Sequence, residues 1–135
     1  MAEEGALLSG SVEERTDMLT QVQVTRWVGA YVYAWRTGHA ADIGALFAPD
    51  AEYHQWPHPA DWIGRAAIVE GWQDSATVQQ GGRSFDWEVL LVNGDTAAIR
   101  EVRVDAGLGT FLSLMVVTLD DHGRARVLRV WRNQF

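Results

Sequence analysis

Three turn signals punctuate the second half of the chain, and they constrain its fold more than any other feature. Asn93-Gly94-Asp95, Ala106-Gly107-Leu108-Gly109 and Asp120-Asp121-His122-Gly123 separate runs rich in Val, Leu, Thr and Arg. An Asn-Gly pair suits the tightest hairpin turn, whose central residues need positive φ, so the chain reverses there. The runs between these turns predict strands over residues 84–92, 96–105, 110–119 and 124–134, joined as a meander. Such a meander has two faces, and one of them must be covered.

The first half supplies the cover. Ser11-Val12-Glu13-Glu14 has the form of a capping box and opens a long helix that runs to Thr37. Val24, Val28, Tyr31 and Trp35 recur at helical spacing and form one apolar stripe. Gly38 is a natural stop. A short helix is expected over residues 41–47, ended by Pro49-Asp50, then a short strand over 51–56, where polar and apolar residues alternate. Pro57-His58-Pro59 cannot continue that strand. A third helix is expected over residues 63–74, opening at Gly64-Arg65, with Ile68 and Trp72 on one side. Helices first and antiparallel strands after them give an α+β class: a curved antiparallel sheet wrapped by three helices around an apolar pocket, one domain over residues 11–135 behind a leader of residues 1–10.

Composition narrows the function. The chain has 135 residues and a formal net charge of −7, which disfavours nucleic acid and anionic membrane surfaces as partners. It has no cysteine, so thiol nucleophiles and thiolate metal sites are excluded. His39, His54, His58 and His122 share no metal-binding spacing, and no glycine-rich phosphate loop is present; neither a metal nor another cofactor is expected. With no signal-like or membrane-spanning segment visible, a soluble, cytoplasmic protein is expected. Seven tryptophans are many for this length. Six of them, Trp35, Trp56, Trp62, Trp72, Trp87 and Trp131, are hard to pack without a cavity, which points to an aromatic-lined pocket for an apolar small molecule.

Several local strings resemble the NTF2-like, or SnoaL-like, superfamily. Asp42-Ile43-Gly44-Ala45-Leu46-Phe47-Ala48-Pro49-Asp50-Ala51 is similar to the segment before that family's first strand, and Gly64-Arg65-Ala66-Ala67-Ile68 to the opening of its third helix. Asp121-His122-Gly123-Arg124, ahead of a strand with Trp131, resembles its last hairpin. The resemblance implies a cone-shaped sheet around a pocket and a homodimer through the outer sheet face. It leaves function open, because the fold hosts isomerases, polyketide cyclases, dehydratases, epoxide hydrolases and binders. Against the ketosteroid isomerases, Tyr31 falls at the helical Tyr, but Gln55 replaces the base and Met115 the second acid. Against enzymes like limonene epoxide hydrolase the match is fuller: Tyr53-His54-Gln55-Trp56-Pro57, Arg103-Val104-Asp105 and Trp131-Arg132-Asn133-Gln134-Phe135 each have a counterpart, with Asn133 in place of a catalytic Asp.

The resemblance therefore implies Asp105 as acid, Arg103 as its electrostatic neighbour, and Tyr53, Gln55 and Asn133 positioning a nucleophile. Tyr31, Trp35, Trp56, Trp62, Trp87, Met115 and Trp131 would contact the substrate. The implied chemistry is acid-assisted ring closure, epoxide opening or dehydration, with the general base missing; the alternative is a non-catalytic binding domain. Residue pattern alone leaves two readings of the strand at 102–105. Either Val102 and Val104 face the core and Arg103 and Asp105 face water, or the reverse.

Overall fold

A computed structural model describes residues 12–57, 59–78, 83–107 and 109–134, and the side chains of all of these except 12–19, 76–78 and 83. The expected leader, the Ser11 cap, His58, Leu108 and residues 79–82 lie outside the described residues.

Helix α1 spans Val12–Thr37. Val24, Trp27, Val28, Tyr31, Ala34 and Trp35 are buried along one side, the i, i+3, i+4 spacing that a helix needs to cover a core. The Trp27 indole N–H donates to the Leu46 carbonyl at 2.9 Å and the Thr20 hydroxyl to the Gly94 carbonyl at 2.6 Å, tying the helix to both ends of the molecule. Gly38, at φ 65°, ends it by donating its N–H to the Ala34 carbonyl.

Helix α2 covers Ala40–Gly44, shorter than the sequence suggests, because Phe47 already belongs to strand β1, Phe47–Trp56. The Ala125 N–H donates to the Leu46 carbonyl, which starts the pairing early. A register shift between Phe47 and Glu52 accommodates Pro49, which has no N–H to give the ladder. A strand not foreseen from the sequence, β2 at Ala60–Ile63, folds back on β1 beyond the Pro57-Pro59 loop. Helix α3 then runs Arg65–Val78.

Strands β3 (Arg83–Asn93), β4 (Thr96–Asp105), β5 (Gly109–Leu119) and β6 (Ala125–Gln134) form the expected meander. The spatial order is β2-β1-β6-β5-β4-β3. The sheet is curved and does not close. It is mixed rather than wholly antiparallel: β1 lies parallel to β6, because the chain reaches the far side of the meander through helices before the meander is built. The three helices cover the inner face, and the core lies between them and the sheet.

Candidate active site

Strand β4 decides the site. Its burial alternates strictly, and Ala97, Ile99, Glu101, Arg103 and Asp105 all point inward. Arg103 is 1 % exposed and Asp105 2 %, whereas Val104 is 45 % exposed. The charged parity therefore faces the core and the valine parity faces outward, the reverse of ordinary alternation. The same parity carries Glu101, 1 % exposed, into the interior. Sequence reasoning stopped at Arg103-Val104-Asp105 and missed Glu101, although counting back two residues along the strand finds it.

Strand register extends the polar row. Glu101 pairs with Ser113 on β5, and Ser113 pairs with Arg132 on β6. Ser113 is buried, and its hydroxyl receives the Arg132 Nε–H at 3.3 Å. Because Ser113 is small, the longer side chains of Glu101 and Arg132 flank it on the same face. The Arg132 guanidinium approaches the Tyr53 hydroxyl, and burial, which would lower its pKa, is outweighed by Tyr53, Tyr31 and Glu101. The family resemblance points to the next residue, Asn133, and gives Arg132 no role.

Arg103 occupies the next inward position of β4. Its guanidinium carbon lies 4.6 Å from the centroid of the Phe111 ring and 5.6 Å from that of Trp35, so aromatic faces carry part of its charge. Asp105 closes the row, its Oδ1 accepting the Gly107 N–H at 2.9 Å. At strand rise, Glu101 and Asp105 are about 13 Å apart along β4, with Arg103 between them.

Aromatic rings wall the other side. Tyr31 and Trp72 meet edge to face at 5.3 Å, Trp35 stacks on Trp72 at 4.5 Å, and Tyr53 lies 4.8 Å from Trp62. Trp62 is wedged against Gly71 of α3, where a β-carbon would collide with the indole. Met115 is buried beside Ile99, and Trp87, opposite Glu101 on β3, packs partly buried against the core.

Three expected pocket residues are elsewhere. Asn133 is exposed, and Trp131, 38 % exposed, shares its face. With Arg132 turned inward beside Ser113, strand alternation sends 131 and 133 outward. Trp56 alternates away from Tyr53 in the same manner and stacks on Trp131 at 5.0 Å on the outer surface. Gln55 keeps the inward parity of Tyr53 and is half-buried. The Asp-to-Asn departure at Asn133 therefore does not remove a carboxylate from the interior, which carries Glu101 instead.

Burial sets the electrostatics. It pushes the Tyr31 hydroxyl well above its usual pKa, reinforced by Glu101, and raises that of Tyr53 against the opposing pull of Arg132. Both stay protonated and can donate. Burial also raises the Glu101 carboxyl, although Arg132 and Arg103 hold it down in part. A carboxyl raised in this way holds a proton more readily than an exposed one, which suits a group that takes up and returns a proton. Three buried polar atoms, Glu101 Oε2, Arg132 Nη2 and Trp72 Nε1, have no hydrogen-bond partner among the described residues. Structural cores rarely leave such groups unsatisfied; sites that receive a ligand do. Among the described residues no cluster of His, Asp and Glu has metal-binding geometry.

The SnoaL-like domain profile matches residues 28–132, from the middle of α1 almost to the end of β6. The chain belongs to the SnoaL-like family. Solved structures repeat this SnoaL-like architecture. An NTF2-like protein of unknown function from Mesorhizobium loti is 25 % identical, with a TM-score of 0.63 over 82 % of this chain and 91 % of its own. A cystatin-like domain of unknown function from Nostoc punctiforme is 22 % identical, with a TM-score of 0.64 over 87 % and 79 %. A protein from Agrobacterium tumefaciens, provisionally named an isomerase of the SnoaL-like family, is 14 % identical, with a TM-score of 0.69 over 83 % and 98 %. No curated protein matches the chain. No described helix of this SnoaL-like domain is long and apolar enough to cross a membrane.

Proposed function

We propose that this SnoaL-like domain is a cofactor-independent enzyme that performs acid/base chemistry on a largely apolar small molecule of natural-product type. The observation that carries this reading is the inward row Glu101-Arg103-Asp105, buried on one strand with the Tyr31 and Tyr53 hydroxyls protonated nearby. Two carboxylates flanking a guanidinium is an arrangement that lets one carboxyl hold a proton while the other is ionised.

In a ring closure or epoxide opening, Glu101 takes the proton from an attacking hydroxyl as its oxygen forms the new C–O bond. Asp105 gives a proton to the oxygen released as the old C–O bond breaks. Solvent then returns Glu101 and Asp105 to their starting states. Tyr53 and Gln55, on one face of β1, orient the attacking group; Trp35, Trp62, Trp87 and Met115 hold the body.

The second reading is a binding domain without turnover. It is favoured by Asp105, whose Oδ1 is engaged by the Gly107 N–H and so serves the turn after β4. The outer face, with Trp56 stacked on Trp131 and Leu114 exposed beside it, suits a second copy of the chain, and a cytoplasmic homodimer is part of the proposal.

The test is a panel of polycyclic and aryl epoxides, with and without an internal hydroxyl, followed by mass spectrometry. Conversion that is lost in Glu101→Gln and in Asp105→Asn supports the enzyme. Binding without conversion by the unaltered protein supports the binding domain.

A further inference from the structure

Strand β2 is an edge of the sheet, four residues long and paired with β1 alone. Its two faces hold the rest of the molecule in different ways, because strand alternation sends Asp61 outward and Trp62 inward. Outside, Asp61 lies across the ladder from His54, and its Oδ1 is 2.6 Å from the ring Nδ1. The other ring nitrogen, Nε2, is 3.0 Å from Glu52 Oε1. Inside, Trp62 lies across from Tyr53, with the rings 4.8 Å apart, and is wedged against Gly71 of α3. Just beyond β2 the Gly64 N–H donates to the Ala51 carbonyl of β1 at 2.7 Å.

An imidazole between two carboxylates is sensitive to one proton. The imidazolium donates from both nitrogens and satisfies Glu52 and Asp61 together. The neutral ring has one N–H for two acceptors, and its bare nitrogen then faces a carboxylate oxygen. Losing the proton thus replaces two charge-assisted hydrogen bonds by one weaker bond and a repulsion. The charged groups that face His54 are Glu52 on β1, Asp61 on β2 and Arg129, its register neighbour on β6. Arg129 is exposed and lies across β1 from Asp61, so water screens its repulsion of the imidazolium. The hydrogen bond to Asp61 is chiefly what raises the His54 pKa above 6.5, with burial opposing and Glu52 assisting, so the bridging form persists to higher pH than in an isolated histidine.

We propose that β2 is a proton-operated strap: with His54 charged, the strand is pinned to β1 and Trp62 is held against Tyr53, and loss of the proton loosens the strand and frees Trp62 from that seat. A change of charge on the outer face thereby reaches the inner wall through two adjacent residues, Asp61 and Trp62. The inference holds whatever the inner face binds or converts.

The experiment follows the whole chain from about pH 5.5 to about pH 8.5, across the His54 titration. Two signals are read: the protection of the Gly64 amide against hydrogen exchange, relative to the unfolded-chain rate at each pH, and the fluorine NMR signal of Trp62 in protein carrying fluorotryptophan, assigned with Trp62→Phe. Protection of Gly64 is expected to fall about three- to tenfold as pH rises. The Trp62 signal should shift with the same midpoint, while that of Trp27 on α1 stays still. His54→Gln should abolish the response of both signals. Asp61→Asn, an exposed change that serves if His54→Gln fails to fold, should flatten the response as well. Glu52→Gln, which leaves the partner on β2 in place, should keep the response and move its midpoint down. Gly64 protection that does not change with pH, a Trp62 signal that does not follow it, or a full response in His54→Gln or Asp61→Asn overturns the inference.

Discussion

The two faces of strands β1, β4 and β6 treat charge in opposite ways. Outside, His54 on β1 sits between Asp61 Oδ1 at 2.6 Å and Glu52 Oε1 at 3.0 Å, and Arg100 on β4 reaches Glu88 at 3.3 Å. These groups have partners and water as well. One residue further along β4, and two strands across on β6, Glu101 and Arg132 carry charge into the interior, where Oε2 and Nη2 lack partners among the described residues. Outer pairs of this kind contribute about 1 kcal/mol or less each, and leaving one unmade costs little. A buried group left without a partner costs about 1–3 kcal/mol, and more if charged. A fold keeps few groups of the second kind, which makes the inner row, and not the more conspicuous outer tryptophan pair, the candidate site.

The largest effect that separates the faces is on turnover. For any substrate found in the epoxide panel, Glu101→Gln should lower kcat by about 10²–10⁴-fold, the range for removing a positioned acid/base group. Thermal stability should be kept or raised, since a buried ionisable group becomes a neutral one. Asn133→Asp, on the outer face one residue from Arg132, should change kcat by less than about twofold. A gain from that substitution would mean that β6 presents Asn133 inward.

Next comes Gly71→Ala. The added methyl enters the space of the Trp62 indole, which is itself held against Tyr53, so it should destabilise the fold by about 1–3 kcal/mol, read as a lowered Tm.

Two smaller effects have opposite causes on the two faces. Burial raises the Glu101 pKa, so the folded state holds that proton more tightly than the unfolded state does. Its contribution is fully present below the ordinary value of 4.5 and falls as pH rises through the raised folded value. The Tm advantage of Glu101→Gln over the unaltered protein should therefore grow as pH rises through that window. His54 is raised mainly by its hydrogen bond to Asp61, with burial opposing and Glu52 assisting. Its contribution is present below the ordinary 6.5 and is lost as pH rises through its folded value. The Tm deficit of His54→Gln should shrink over that range, with a total effect of about 1 kcal/mol or less.

The turns made the meander legible from the sequence, because Gly94 and Gly123 adopt the positive φ that their turns imply. The stripe on α1 was legible for the same local reason. What could not be read locally was pairing. The parallel contact of β1 with β6 joins segments far apart in the chain, and β2 is four residues long, too short for an alternation pattern to show. The site divides the same way. Tyr53, Arg103 and Asp105 sit in strings that resemble a family, and Tyr31 lies on the helix stripe; all four are buried in the structure. Arg132 faces inward and Asn133 outward because the parity of β6 is set by the pairing of Arg132 with Ser113, which no local pattern reveals.

The most direct test of the central claim is a carbon-13 NMR titration of the glutamate side-chain carboxyls, with and without a polycyclic epoxide that the protein binds. The account predicts that Glu101 titrates above the ordinary glutamate range and that its signal moves when the probe is added, while that of Glu88 on the outer face does not. An ordinary midpoint for Glu101 and no response to the probe would contradict it.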